Sequence, residues 1–158
     1  MFTILLNSKA GVPCLLMLLV MSSCRPAQVL TSEVTLYGGT RDELQLTSKG
    51  FGKDEYAAKL DAFKRAVDAV LYRGFVAEGS PVKDPLIKDK ELVQQAHDQF
   101  FNALYSDGTL HEIVLSYMAT GKARKEHNLY ESTYHLRLNL RLLRSRLEDA
   151  GIVRKFGI

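Results

Sequence analysis

Polar and apolar residues alternate along two short stretches near residue 40. Val34 and Leu36 alternate with polar neighbours in EVTLYGG and stop at Gly38-Gly39. Leu44 and Leu46 alternate with Gln45 and Thr47 in ELQLTSKGF. A period of two marks half-buried strands, so two strands are predicted here. The period then changes. Tyr56, Leu60, Phe63, Val67, Val70 and Leu71 recur at spacings of three and four, one face of an amphipathic helix. Ala57, Ala58, Ala62, Ala66 and Ala69 add helix propensity and let the helix pack close. Asp54 is placed to cap its positive end. Glu55 with Lys59 and Asp61 with Arg65 are favourable pairs on the wet side. Gly74 is the expected stop.

The second half repeats the theme. Residues 75 to 88 hold Gly79, Pro81 and Pro85 and read as a loop. A second helix is predicted from about Asp89 to Leu104, with Leu92, Val93, Ala96, Phe100 and Leu104 inward and SDG as its end. LHEIVLSYMAT is apolar and rich in β-formers. The polar loop GKARKEHN follows it. Beyond the loop, Tyr134, Leu136, Leu138 and Leu140 face one way, and Thr133, His135, Arg137 and Asn139 the other. The two runs read as a β-hairpin. Leu140, Leu143, Leu147 and Ala150 then suit a short final helix closed by Gly151, and the tail is expected to pack back through Ile152 and Phe156. Strands and helices do not alternate strictly, and hairpins recur. That order predicts a single α+β domain over 33–158, with helices on one face of a mainly antiparallel sheet.

The N-terminus changes where this domain should live. Lys9 precedes an apolar run from about Ala10 to Met21, then Ser22, Ser23 and Cys24. A basic start, a short apolar core and small residues before a cut site mark a secretory signal peptide. The run is shorter than the roughly 20 apolar residues that span a bilayer. VMSSC resembles the lipobox of bacterial lipoproteins, in which the cysteine is acylated. On that reading 1–23 is the signal, and Cys24 is the lipid attachment site at the head of a short tether that ends at residue 32. Arg25, rather than an aspartate, follows the cysteine, so the resemblance implies the outer membrane with the domain facing the periplasm. Cys14 would leave with the signal and Cys24 would be blocked, so the mature domain has no disulfide and must be held by burial.

Charge and chemistry narrow the function little further. The formal charge of +3 is close to balance, and no nucleic-acid partner is implied. SKGFGKDEY has glycines and a lysine, but Thr47 and Asp54 stand where a phosphate loop needs glycine and a hydroxyl. Its expected role is a sharp turn leading into a capped helix. His97, His111, His127 and His135 have no zinc spacing. His111 and His135 are expected to face each other across the hairpin, without a third ligand. The basic residues are the remaining candidates. Lys122, Arg124 and Lys125 form a hairpin tip, and Arg137 and Arg141 follow on the polar side. They are possible contacts for an anionic partner, or a solvated face that protects the sheet edge.

A strand entering GFGK, the alanine-spaced helix DEYAAKLDAFKRAVDAVLYRGF and the strand-to-helix run YHLRLNLRLLRSRLEDAGI together resemble a known group. They are similar to the small bacterial lipoprotein domains related to the FlgT-type N-terminal domain and the LPP-type lipoprotein antigens. The resemblance implies a non-enzymatic envelope lipoprotein near a larger membrane assembly, with no cofactor and no catalytic residue. The expectation is an anchored protein docking on another envelope protein through the hairpin. The alternative is a binding module for anionic cell-wall polymer or lipid head groups. An enzyme, which needs a deep pocket with convergent polar groups, is the least expected reading.

Overall fold

The computed structural model describes residues 34–75, 82–126 and 128–154. The expected signal peptide, Cys24 and its tether, Gly79 and Pro81 of the loop, His127 and Phe156 lie outside the described residues.

Strands β1 (Val34–Gly39), β2 (Glu43–Gly52), β3 (Val114–Ala119), β4 (Arg124–Glu126) and β5 (Leu129–Asn139) form one antiparallel sheet in the order β1-β2-β5-β3. β4 also pairs with β5, beyond the end of β3. The helices are α1 (Glu55–Asp68), which runs into a π-helical turn Ala69–Arg73, then α2 (Lys90–Ala96), α3 (Asp98–Leu104), α4 (Asp107–Ile113) and α5 (Leu140–Asp149). This is the α+β domain that the residue pattern predicts.

The two central strands pair along their whole facing length, from Glu43 opposite Asn139 to Gly52 opposite Tyr130. Leu44, Leu46, Ser48, Tyr134, Leu136 and Leu138 are buried on one face. Glu43, Gln45, Thr47, Lys49, Thr133, His135 and Arg137 occupy the other, as their alternation predicts. α1 lies on the buried face, and its caps are the expected ones. Ala57 N–H donates to Asp54 Oδ1 at 2.7 Å. Gly74 ends the π turn at φ +68° and ψ −175°, a conformation open in practice to glycine alone.

The packing of α1 corrects two expectations. Phe63, Val67, Val70 and Leu71 are buried as expected, but Tyr56 is 49% exposed, while Ala58, Ala62 and Ala66 have no exposed surface. The alanine stripe therefore belongs to the core seam. Gly50 and Gly52 do not form a turn either. They are strand residues of β2, two steps apart on the face that meets the helix. A Cβ on Gly50 would stand 2.0 Å from the Ala58 carbonyl oxygen and 2.4 Å from the Ala62 nitrogen. One on Gly52 would stand 2.3 Å from the Ala58 nitrogen. Ser48, next on the same face, is fully buried and donates its hydroxyl to the Ala62 carbonyl at 2.8 Å. The helix comes nearly into backbone contact with the strand because both give up side-chain volume.

The chain between 89 and 119 also differs from expectation. The helix predicted over 89–104 breaks at His97, whose φ of −132° leaves the helical region. Asp98 opens the next helix, its carboxylate accepting from Gln99 N–H at 2.7 Å, a local bond that competes with helix continuation. SDG starts α4 rather than ending a helix. Leu110 and Ile113, three apart, both reach the core with no exposed surface, so LHEI is helical and β3 begins only at Val114. Burial of those two side chains overrides the β propensity of the run. The polar loop is shorter than expected too, because Arg124, Lys125 and Glu126 pair with Glu131, Tyr130 and Leu129 around Asn128 at φ +68°. At the far end, Asn139 accepts from Leu142 N–H at 2.9 Å and turns β5 into α5.

Candidate docking surface

The basic residues singled out from the sequence fall into two places. Lys122, Arg124 and Lys125 are exposed around the short β4 return. The Lys125 ammonium lies 5.5 Å from the Tyr130 ring centre. Arg137 is six strand residues further along β5 than Glu131, the partner of Arg124, which is roughly 20 Å. It lies on the open face, with its guanidinium donating to the Glu43 carboxylate at 2.6 Å. Arg141 is exposed in the first turn of α5, where its N–H donates to the Asp42 carbonyl at 3.3 Å. The fold brings the three tip residues together and holds Arg137 and Arg141 apart from them, so the five do not make one cationic surface.

The histidines also separate. His111 sits on α4, not on a strand, with its ring 5.5 Å from Phe63 and Nε2 3.2 Å from Asp107. It does not face His135 across the hairpin. His135 Nδ1 bonds the Thr47 hydroxyl at 3.0 Å, and its ring meets Tyr37 edge-on at 5.3 Å. Among the described residues no three potential ligands cluster around a metal position. The GFGK segment has its glycine faces filled by α1, and Phe51 N–H donates to Asp61 Oδ2 at 2.9 Å. That geometry serves helix-to-strand packing rather than phosphate binding.

A half-buried polar network ties α1 and its π turn to α2 and the end of α3. The Tyr105 hydroxyl donates to Asp68 Oδ1, and Gln94 Nε2 donates to the Tyr72 hydroxyl at 3.1 Å. Burial pushes the Asp68 carboxyl up, while the Tyr105 hydroxyl, Lys90 and Arg65 oppose the shift. Burial and the Asp68 carboxylate hold the Tyr105 hydroxyl far above the ordinary tyrosine range. Tyr105 therefore remains a donor, and its role is to pin two helices.

The surface that the residue pattern did not single out is the outer edge of β3. Among the described residues no strand pairs with that side. Leu115, Tyr117 and Met118 are 45%, 48% and 64% exposed. VLSYMA holds no charge, proline or glycine, the devices that normally blunt an edge. That absence is legible in the residues, but a strand that also takes in LHEI includes Glu112 and hides it. Tyr117 is held in place: its ring lies 5.3 Å from Phe63 and 6.2 Å from Tyr134, with the Lys59 ammonium 5.2 Å above it. The opposite edge, β1, is finished differently. Both edge strands carry a bulge, between Leu36 and Gly38 in β1 and between Val114 and Ser116 in β3, but at β1 Arg73 also donates to the Val34 carbonyl at 2.6 Å.

No helix among the described residues is long and apolar enough to cross a membrane. No family model, curated protein or solved structure matches the chain.

Proposed function

We propose that this chain is a bacterial envelope lipoprotein with a non-catalytic, assembly role. Cys24 carries the lipid anchor at the outer membrane, the domain faces the periplasm, and β3 with the adjoining basic tip docks on another envelope protein. The observation that carries the docking role is the open β3 edge, where Leu115, Tyr117 and Met118 stand exposed beside unpaired backbone. A strand in that condition is a template for an incoming strand. The lipobox-like VMSSC, and the resemblance of GFGK, its alanine-spaced helix and YHLRLNLRLLRSRLEDAGI to envelope lipoprotein domains, support the anchored reading. The alternative, an anionic polymer or lipid head group as ligand, is left with the tip residues alone, because Arg137 and Arg141 lie elsewhere.

In-cell cross-linking of the full-length protein followed by pull-down tests the reading, with Cys24→Ala and Met118→Lys as comparisons. One dominant protein partner is expected, lost from both variants, and palmitate labelling is expected to vanish with Cys24→Ala. Equal recovery of proteins from all three forms overturns the docking role. Labelling that persists in Cys24→Ala overturns the anchor.

A further inference from the structure

We infer that the strand which fills the β3 edge is β3 of a second copy of this chain, so that two domains share one continuous antiparallel sheet. This rests on the reading of that edge as a docking surface and names its occupant.

The distribution of charge around the edge is the argument. β3 itself is neutral. Immediately before it, α4 carries Asp107 and Glu112, whose side chains are 49% and 58% exposed; within the chain Glu112 already pairs with Arg146, and Asp107 with His111 and the Tyr56 hydroxyl. Immediately after it come Lys122, Arg124 and Lys125, all exposed. With Arg146 offsetting one of the two carboxylates and Lys59 standing over Tyr117 at the middle, the edge still carries net negative charge at its start and net positive charge at its end. An antiparallel neighbour with the same sequence reverses that order, so each basic tip meets the acidic α4 of the other copy. A parallel copy would set like charge against like. A foreign strand would have to carry the complementary charges at both ends, whereas a second copy carries them by symmetry. Such a two-fold contact is isologous: one patch meets itself.

The side chains agree with the arrangement. A two-fold axis perpendicular to the sheet keeps each residue on its own face, so the contact centres on Ser116 or on Tyr117. Centred on Tyr117, Met118 stands opposite Ser116 of the other copy, and the tip lies toward the α4 end of its neighbour. Leu115, Tyr117 and Met118 would then gain cross-strand neighbours in place of water, the contacts that stabilise paired strands. The regular part of β3, from Ser116 to Ala119, lies beyond its bulge and keeps an unbroken register with β5. The β1 edge, where Arg73 already engages the Val34 carbonyl and the strand ends in Gly38-Gly39, is the poorer template.

Sedimentation velocity of the full-length chain in detergent, over a concentration series, is the test. A dimer that dissociates on dilution is expected. Met118→Lys should weaken it about tenfold or more, because it sets extra positive charge into the shared edge. Glu112→Lys should weaken it likewise, and the exchange Glu112→Lys with Lys122→Glu should restore association. Thermal melting of each variant separates lost pairing from lost folding. Ser116→Cys or Tyr117→Cys should form a disulfide between copies that the parent chain and Ala119→Cys do not form. A chain that stays monomeric throughout, or a dimer indifferent to every one of these changes, overturns the inference. If the chain is monomeric while Met118→Lys still loses the cross-linked partner, the docking role stands and the second copy is excluded as its occupant.

Discussion

Two borders of the same sheet are built on opposite terms. Where β2 meets α1, side chains are pared away: Gly50, Gly52, Ala58 and Ala62 let backbone approach backbone. Where β3 meets solvent, large side chains remain, and three of them are 45% exposed or more. The seam is complete within one chain, so any added atom is an intrusion. The edge is incomplete, so an added charge there costs the folded monomer little and costs association much. The contrast separates residues that make the domain from residues that use it.

The largest effect should come from the seam. Gly50→Ala places a methyl group on the Ala58 carbonyl and should destabilise the domain by about 3 kcal/mol, a large fraction of a typical domain's stability. Gly108→Ala is the matched control, because a Cβ there meets nothing within 4 Å. On the exposed face of α4 it should instead stabilise by about 0.5–1 kcal/mol through helix propensity. Urea titration of both variants measures the difference. Equal midpoints would mean that the seam relaxes freely and that the contrast is empty.

A smaller effect is expected at the pin between α1 and α3. Tyr105→Phe removes a donor to the half-buried Asp68 carboxylate and should cost about 1–2 kcal/mol near neutral pH. The sign with pH follows from the raised carboxyl. The folded state holds the Asp68 proton more tightly than the unfolded state does. Stability from this group is therefore greatest in acid and falls as pH rises from about 4 through the raised folded value. Losing the Tyr105 donor raises Asp68 further and extends that fall to higher pH, while Asp68→Asn should flatten it. Thermal melts across pH 3 to 8, on the order of the range over which carboxylates change state, read out both slopes.

The smallest effect on stability belongs to the edge. Met118→Lys should change the unfolding free energy by no more than about 0.5 kcal/mol, as an exposed substitution does. The same variant should lose docking. A melt shifted as far as that of Gly50→Ala would show that Met118 belongs to the domain's own packing.

The elements that were legible in the residue pattern are those whose period is uninterrupted. β2, α1, β5 and α5 follow from alternation, from three-and-four spacing and from Asp54 and Gly74 as signals at the ends of the first helix. The region from 89 to 119 departs from its residue pattern because its breaks are made by local competition and by burial. Asp98 turns its carboxylate to the next N–H, and the three-residue spacing of Leu110 and Ile113, which suits a helix and not a strand, is masked by the β-forming run VLSYMA that follows without a break. For the candidate surface, Lys122, Arg124 and Lys125 were readable as a group, since they are neighbours in the chain. Arg137 and Arg141 were joined to them by composition alone, and strand length separates them.

Chain chemistry alone is enough to decide the class of the domain, the strands and helices with clean periods, and the capping of α1. Each of these depends on residues within a few positions of one another. Tertiary structure had to decide that the glycines serve a helix and not a turn, that alanines rather than Tyr56 face the sheet, and that β3 ends up at an open edge. Those are facts about which surfaces meet across long stretches of chain. A period states that a face is buried, but only the assembled volume states what it is buried against and how close the two can come.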